Sequence, residues 1–509
     1  MRRATMVGAV LGAAVLLGAC TSGTAPDDTT EPEISSDAAQ VPEGLGQYYG
    51  QDLQWSPCGG DFQCAELQVP KDYDDPQGPA GDFGLQVLRS PSTGAAPLGS
   101  LVVNPGGPGG SGVDYARAAR AIVSPEVADA YDVVGFDPRG VVSSEPVDCL
   151  TDSELDVYLN VDPTPDDEQE LQDVVGATAA MGQGCAERSP ESYAWVDSES
   201  VARDMDVLRA VLDQEQLHYL GASYGTLLGA TYSRLFPERV GRFVLDGALP
   251  PDLSAEDVSR GQAVGFEVAL ERFVAQCLGS SDCPLTGDVD DGVAQIQQFL
   301  AGLDTQPLPA LPGRPLTEAW GAFAILYYLY FPPSDWQQLI GGLEQAFAGD
   351  GSTLMQMLDS RVGRSPDGTY RDNGQEVFYA VNCLDHEVGE VAEITQRAED
   401  WSAEAPTWGP YLAYSDLVCA QWPVEPVNEP TQASASGTAP ILVVSTQYDP
   451  ATPYEWGPRL VEQLPGSALV SFNADGHTGY RNGSECVDAA VDATLLEGVL
   501  PDEDPRCGY

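Results

Sequence analysis

The chain has 509 residues, 43% of them hydrophobic, enough to bury a large core. It carries 23 basic against 78 acidic residues, a formal net charge of −55, and Lys71 is its single lysine. Such a surface repels phosphate backbones and argues against nucleic acid as a partner; a strongly solvated exterior is the plain reading.

The start reads as a processing signal. Arg2 and Arg3 precede an apolar run over residues 6–17, too short to span a bilayer. Leu17-Gly18-Ala19-Cys20 follows in the pattern of a bacterial lipobox. Residues 1–19 are therefore expected to be removed and Cys20 lipidated, with membrane attachment only through that anchor. An ordinary signal peptide with a chance cysteine is the alternative. Residues 20–44 hold few large apolar side chains and read as a disordered tether. No later segment looks transmembrane, so the expected location is extracytoplasmic, at the cell membrane or secreted.

Export agrees with the cysteines. There are 11, and setting Cys20 aside leaves ten, which pair completely in an oxidising compartment. Sequence leaves the connectivity open; the simplest expectation, pairing of neighbours, gives Cys58–Cys64, Cys149–Cys185, Cys277–Cys283, Cys383–Cys419 and Cys486–Cys507. None has C-x-x-C spacing, so neither zinc nor another metal is expected.

A domain is expected from residue 45. Residues 62–69 and 83–88 alternate apolar and polar side chains as strands do. Residues 101–103 form a short buried run, followed by Asn104-Pro105-Gly106-Gly107-Pro108-Gly109-Gly110-Ser111-Gly112. This loop admits two functions. Gly107, Gly109 and Gly112 match a dinucleotide fingerprint, with Asp132 or Asp137 as the acidic partner. The rival is an oxyanion loop whose amides face a developing alkoxide. Pro105 and Pro108 lack N–H groups and suit a kinked loop better than a pyrophosphate cradle. An exported protein also has little access to dinucleotides. The oxyanion loop is the better reading, and no cofactor is expected.

Residues 131–136 form another strand, ending in Asp137-Pro138-Arg139-Gly140. Residues 198–212 carry Val201, Met205, Leu208 and Leu212 at helical spacing. An apolar run, 217–220, then leads into Gly221-Ala222-Ser223-Tyr224-Gly225 and a helical pattern over 226–236. Strand, G-x-S-x-G and helix are the context of a nucleophile elbow. A further strand at 242–245 ends in Asp246-Gly247. Strands alternating with helices imply an α/β fold with a mostly parallel sheet.

Residues 251–430 change character and read as a helical cap inserted before the last strands, with helices at 255–277, 289–303, 316–331 and 335–347. Trp320, Phe323, Tyr327, Tyr328, Tyr330 and Phe331 cluster in one of them, as core for the most part, with some of them candidates to line an apolar substrate pocket. The sheet resumes at 440–445, before a loop containing Asp449. The strand 468–472 leads into a loop containing His477.

A serine hydroxyl needs a base, and the base needs an orienting carboxylate. Of 3 histidines, His218 lies inside a strand and reads as structural, and His386 lies in the cap. Ser223, Asp449 and His477 follow successive strands in the order of the α/β-hydrolase triad. The amides of Tyr224 and Gly107 are the expected oxyanion donors.

At these residues a resemblance enters. The loop 104–112, Asp137-Pro138-Arg139-Gly140, Gly221-Ala222-Ser223-Tyr224-Gly225-Thr226 and Val244-Leu245-Asp246-Gly247 resemble the exported tripeptidyl aminopeptidases of actinobacteria. These are proline iminopeptidase relatives within the α/β-hydrolases, and mycobacterial cell-envelope lipoprotein serine hydrolases are similar. The resemblance spans about residues 45–509. It implies release of short peptides from a free N-terminus, which needs a carboxylate for the substrate ammonium; Asp385 and Glu387 are the candidates. The loop begins Asn-Pro-Gly-Gly where proline iminopeptidases carry His-Gly-Gly, which weakens any proline-specific reading. A carboxylesterase or lipase with the same triad is the enzymatic rival, and a non-catalytic binding protein the third reading. A peptide or small ester is the expected partner, and a monomer the expected state.

Overall fold

The computed structural model describes residues 41–434 and 437–508. Residues 1–19, Cys20 and most of the tether lie outside the described residues. The strands are β1 (Ser56–Pro57), β2 (Gln63–Pro70), β3 (Asp82–Ser90), β4 (Gly99–Asn104), β5 (Tyr131–Phe136), β6 (Leu217–Ala222), β7 (Val240–Asp246), β8 (Leu308–Leu311), β9 (Arg314–Leu316), β10 (Ile441–Tyr448), β11 (Ala468–Asp475) and β12 (Arg506–Cys507). Ten of them form one sheet in the order β1-β2-β3-β5-β4-β6-β7-β10-β11-β12, while β8 and β9 pair alone.

The sheet changes character along its width for a reason visible in the side chains. β2 and β3 alternate, are partly exposed on one face and pair antiparallel. From β5 onward the pairing is parallel. The inner strands β4, β6, β7 and β10 are almost wholly buried, as covering by helices on both faces requires. From β4 the chain turns to β5 on one side, and β6 then returns on the other, with Asn104 opposite Gly221. That reversal opens a crevice at the carboxyl ends of β4 and β6, where open α/β sheets bind ligands. The glycine loop and the elbow both lie there.

Apolar clusters fill both faces of the sheet, and a third forms the core of a helical layer. The expected helices appear as Ala255–Leu278, Val289–Thr305, Glu318–Leu329 and Trp336–Phe347. The layer is not built from residues 251–430 alone. Helices Asp152–Tyr158 and Glu168–Arg188 precede the elbow and join it. Arg364 bonds Asp156 at 2.7 Å, and Glu376 accepts the amides of Cys149 and Leu150 at 2.7 and 2.8 Å. Conversely, Val377, Ala380 and Leu384 of helix Gly374–Asp385 pack into the same cluster as the sheet residues Phe136 and Tyr219. The five neighbour pairs of cysteines are disulfide-bonded.

The Asp137-Pro138-Arg139-Gly140 stretch is structural. Arg139 is fully buried, forks onto Asp204 at 2.7 and 2.8 Å and donates to the carbonyls of Pro70, Lys71 and Trp195. Asp137 accepts Ser111 Oγ at 2.5 Å and the amide of Val113 at 3.2 Å, tying down the end of the glycine loop. Asp132 caps the amide of Ser92 at 2.8 Å. Both acids are thus engaged within the protein. Among the described residues, no helix is long and apolar enough to cross a membrane.

Candidate active site

Ser223 sits between β6 and helix Tyr224–Leu235 with φ 57° and ψ −127°, a backbone conformation costly for a serine. Its amide donates to the carbonyl of Asp246 at 2.8 Å. The flanking glycines are required by close approach. A Cβ on Gly221 would strike the carbonyl of Gly225 and come within 2.5 Å of the Tyr219 ring, and one on Gly225 would lie 2.9 Å from Asn104 Oδ1. The turn is therefore closed against the end of β4.

The glycine loop packs on the elbow. A Cβ on Gly106 would fall 2.8 Å from Ser223 Cβ and 2.9 Å from the Tyr224 nitrogen. Gly106 donates its amide to buried Asn104 Oδ1 at 2.8 Å, and Gly110 donates to the carbonyl of Gly106 at 3.1 Å. The amides of Gly107 and Tyr224 have no partner among the described residues. Gly107 follows Gly106 in that loop and Tyr224 follows Ser223, so both amides belong to the two segments that meet at the serine.

Asp449 is 2% exposed and accepts on both oxygens. Oδ1 takes the amides of Ala451 and Thr452 at 2.9 Å. Oδ2 takes Thr452 Oγ1 at 2.9 Å and the amide of Thr478 at 3.2 Å. His477 Nδ1 lies 2.9 Å from Oδ1 and 2.8 Å from Oδ2. Burial pulls the imidazole pKa down, but the charge and hydrogen bond of Asp449, with Asp246 adding, outweigh it and hold His477 above the usual histidine value. His477 Nε2 is buried without a hydrogen-bond partner, so no bond to Ser223 Oγ is formed in this state. Such bonds commonly close only once substrate is bound.

The helical layer reaches the site at both sides. The carbonyl of Tyr330 accepts the His477 amide at 2.8 Å, and the Tyr330 ring meets the imidazole edge-on at 5.7 Å. Tyr327 meets both Tyr330 and Phe331 in tilted ring contacts, while Trp320 and Tyr328 are buried in the layer's own core. At the other side, a Cβ on Gly109 would meet the carbonyl of Gly374 at 2.8 Å.

The two candidate ammonium partners lie in different surroundings. Asp385 is buried and engaged within the protein: it accepts the Ser198 amide at 3.0 Å, Asn428 Nδ2 at 2.7 Å and Ser198 Oγ. Burial, with Asp197 nearby, pushes its carboxyl up to about 7. Ser198 Oγ passes the connection to Tyr224 OH at 2.6 Å, so Asp385 is linked to the first residue of the elbow helix. Glu387 is exposed at the surface. His218 accepts the Arg242 amide at Nδ1, and burial lowers its pKa to about 4. His386 is likewise pushed down to about 4 by burial. Sequence reasoning gave no role at the site to Asn104 or Asp246, which only their strand-end position could have singled out.

A parallel sheet in this order, with serine, aspartate and histidine after β6, β10 and β11, defines an α/β-hydrolase of the serine type. The family model for TAP-like proteins matches residues 405–507. Serine protease Hip1 of Mycobacterium tuberculosis is 34% identical over 90% of this chain and 91% of its own length. Carboxylesterase B of the same organism is 35% identical over 87% and 86%, and the tripeptidyl aminopeptidase of Streptomyces lividans is 30% identical over 89% and 86%. The chain belongs to this TAP-like family of α/β-hydrolases.

Proposed function

We propose that this chain is an exported, lipid-anchored serine peptidase that releases short peptides, of tripeptidyl type, from free N-termini through an acyl-enzyme. The observation that carries the catalytic part is the state of His477. Its Nδ1 is committed to buried Asp449, which leaves Nε2 as the ring atom able to take a proton. His477 removes the Ser223 proton as Oγ attacks a carbonyl carbon. Gly107 and Tyr224 donate to the oxyanion, each such donor contributing about 10²–10³ in rate. His477 then protonates the leaving amine, and water reverses the sequence. Tyr327, Tyr330 and Phe331 offer an apolar wall for the acyl side chain.

The names of Hip1 and of the Streptomyces enzyme favour a peptidase. The relative named carboxylesterase favours an esterase as the second reading. The two differ in whether a substrate ammonium is required. Hydrolysis of a tripeptidyl anilide is expected to exceed that of its N-acetylated twin by at least tenfold; equal rates would discard the aminopeptidase reading. Anchoring through Cys20 is tested by metabolic labelling with a tagged fatty acid, expected to be lost in Cys20→Ala.

A further inference from the structure

The triad reading leaves unused a second buried carboxylate at the same spot. Asp246 ends β7, in register with Ala222 on one side and Val444 on the other. It lies between the strand that delivers the serine and the strand that delivers Asp449, and it is 3% exposed. Its carbonyl accepts the Ser223 amide at 2.8 Å. Its carboxylate accepts the Gly479 amide on Oδ1 and the Tyr480 amide on Oδ2, both at 2.8 Å. The successive amides of Thr478, Gly479 and Tyr480 are thus divided between Asp449 and Asp246. This clamp holds Thr478 at φ 68°, where a β-branched residue is strained. The next residue, Gly247, lies directly against the base: a Cβ there would come within 3.2 Å of His477 Cε1.

We infer that Asp246 is a positioning residue for the reaction, joining the amide of the nucleophile to the loop of the base and supplying a second negative charge to the imidazolium. This rests on the nucleophile and base assigned to Ser223 and His477. Two carboxylates acting on one histidine have separable duties. Asp449 fixes the tautomer through Nδ1. Asp246 touches only the backbone of the loop, so it sets where the ring stands and acts on its charge through space. The titratable groups facing Asp246 are His477 and Asp449 from the neighbouring loops and Tyr115 from helix Gly112–Arg117. Burial raises the Asp246 carboxyl to about 6, against the pull of its two amides and of His477. The acid limb of the rate therefore belongs to a coupled set of groups.

The test is Asp246→Asn, with kcat/KM and the rate of Ser223 labelling by a fluorophosphonate followed across pH. The amide group presents a donor to one of the two loop amides and removes the charge. We expect kcat/KM to fall by about 10²-fold, as misplacement of a catalytic group does. The acid limb is expected to move to lower pH by about half a unit or more, because a negative charge near His477 is gone. A lower rate with an unmoved limb makes Asp246 merely structural and overturns the inference, as does an unchanged rate. Should the variant not fold, wild-type protein labelled with ¹⁵N-tyrosine decides. The Tyr480 amide shift must titrate together with the acid limb of labelling, and a flat shift refutes the inference. Failure of the wild type to label at Ser223 is a different result: it removes the underlying triad reading, and this inference with it.

Discussion

Asp449→Asn separates orientation of the base from everything else in the site. The amide nitrogen must replace one oxygen. At the Oδ1 position it would confront the amides of Ala451 and Thr452; at Oδ2 it confronts only the Thr478 amide, because the Thr452 hydroxyl can rotate. The Oδ2 placement is therefore preferred, and it puts an NH₂ 2.8 Å from His477 Nδ1. Nδ1 must then accept, the ring proton moves to Nε2, and the base is in the wrong tautomer. Loss of the orienting carboxylate lowers kcat by about 10⁴-fold. At 1.36 kcal/mol per decade this is about 5 kcal/mol of barrier. The fold loses only the bond to Thr478, about 1–3 kcal/mol. Steady-state hydrolysis of an activated ester, beside a denaturant titration, measures both. A folded variant whose kcat falls less than tenfold would refute the assignment of Asp449.

Three further outcomes are expected. Arg139→Met leaves Asp204 buried and unpaired and should destabilise the fold by about 3–5 kcal/mol, read by denaturant midpoint, with kcat of the folded fraction unchanged. Replacing Cys383 and Cys419 by alanine opens a loop of sequence separation 36, worth about 4 kcal/mol of unfolded-state entropy, measured the same way. Buried Glu318, Glu376 and Asp385 are pushed up to about 7, and Asp246 and Asp416 to about 6. The folded state then holds more protons than the unfolded chain between about pH 4 and 7, so stability falls as pH rises through that window. His218 and His386, lowered to about 4, act in the opposite sense below their usual value of 6.5 but are fewer. Tm should thus be higher at about pH 5.5 than at about pH 7.5, and a lower value would contradict these burial effects.

The elbow and the order of its partners were legible because backbone demands select residue types. Only glycine tolerates the approach of Gly221 to Gly225, and loops after strands are where Asp449 and His477 fall. Helix Glu168–Arg188 escaped sequence reading because its buried residues, among them Val174, Met181 and Cys185, are sparse and separated by acidic and small side chains. β12 is only a dipeptide, Arg506–Cys507, completed by pairing to β11, and carries no periodic signal. The burial of Asp385 and its bonds to Ser198 and Asn428 were not legible, because in sequence it looks like any surface acid. Tyr330 acts on His477 partly through its backbone carbonyl, which no side-chain pattern reveals.

The most direct test of the account is where an active-site phosphonate attaches. Intact protein treated with a fluorophosphonate and analysed by peptide mass spectrometry should carry one adduct, on Ser223. Ser223→Ala should remain folded, take no label and lose hydrolysis of esters and tripeptidyl anilides alike. Labelling at another residue, or turnover that survives in Ser223→Ala, would contradict it.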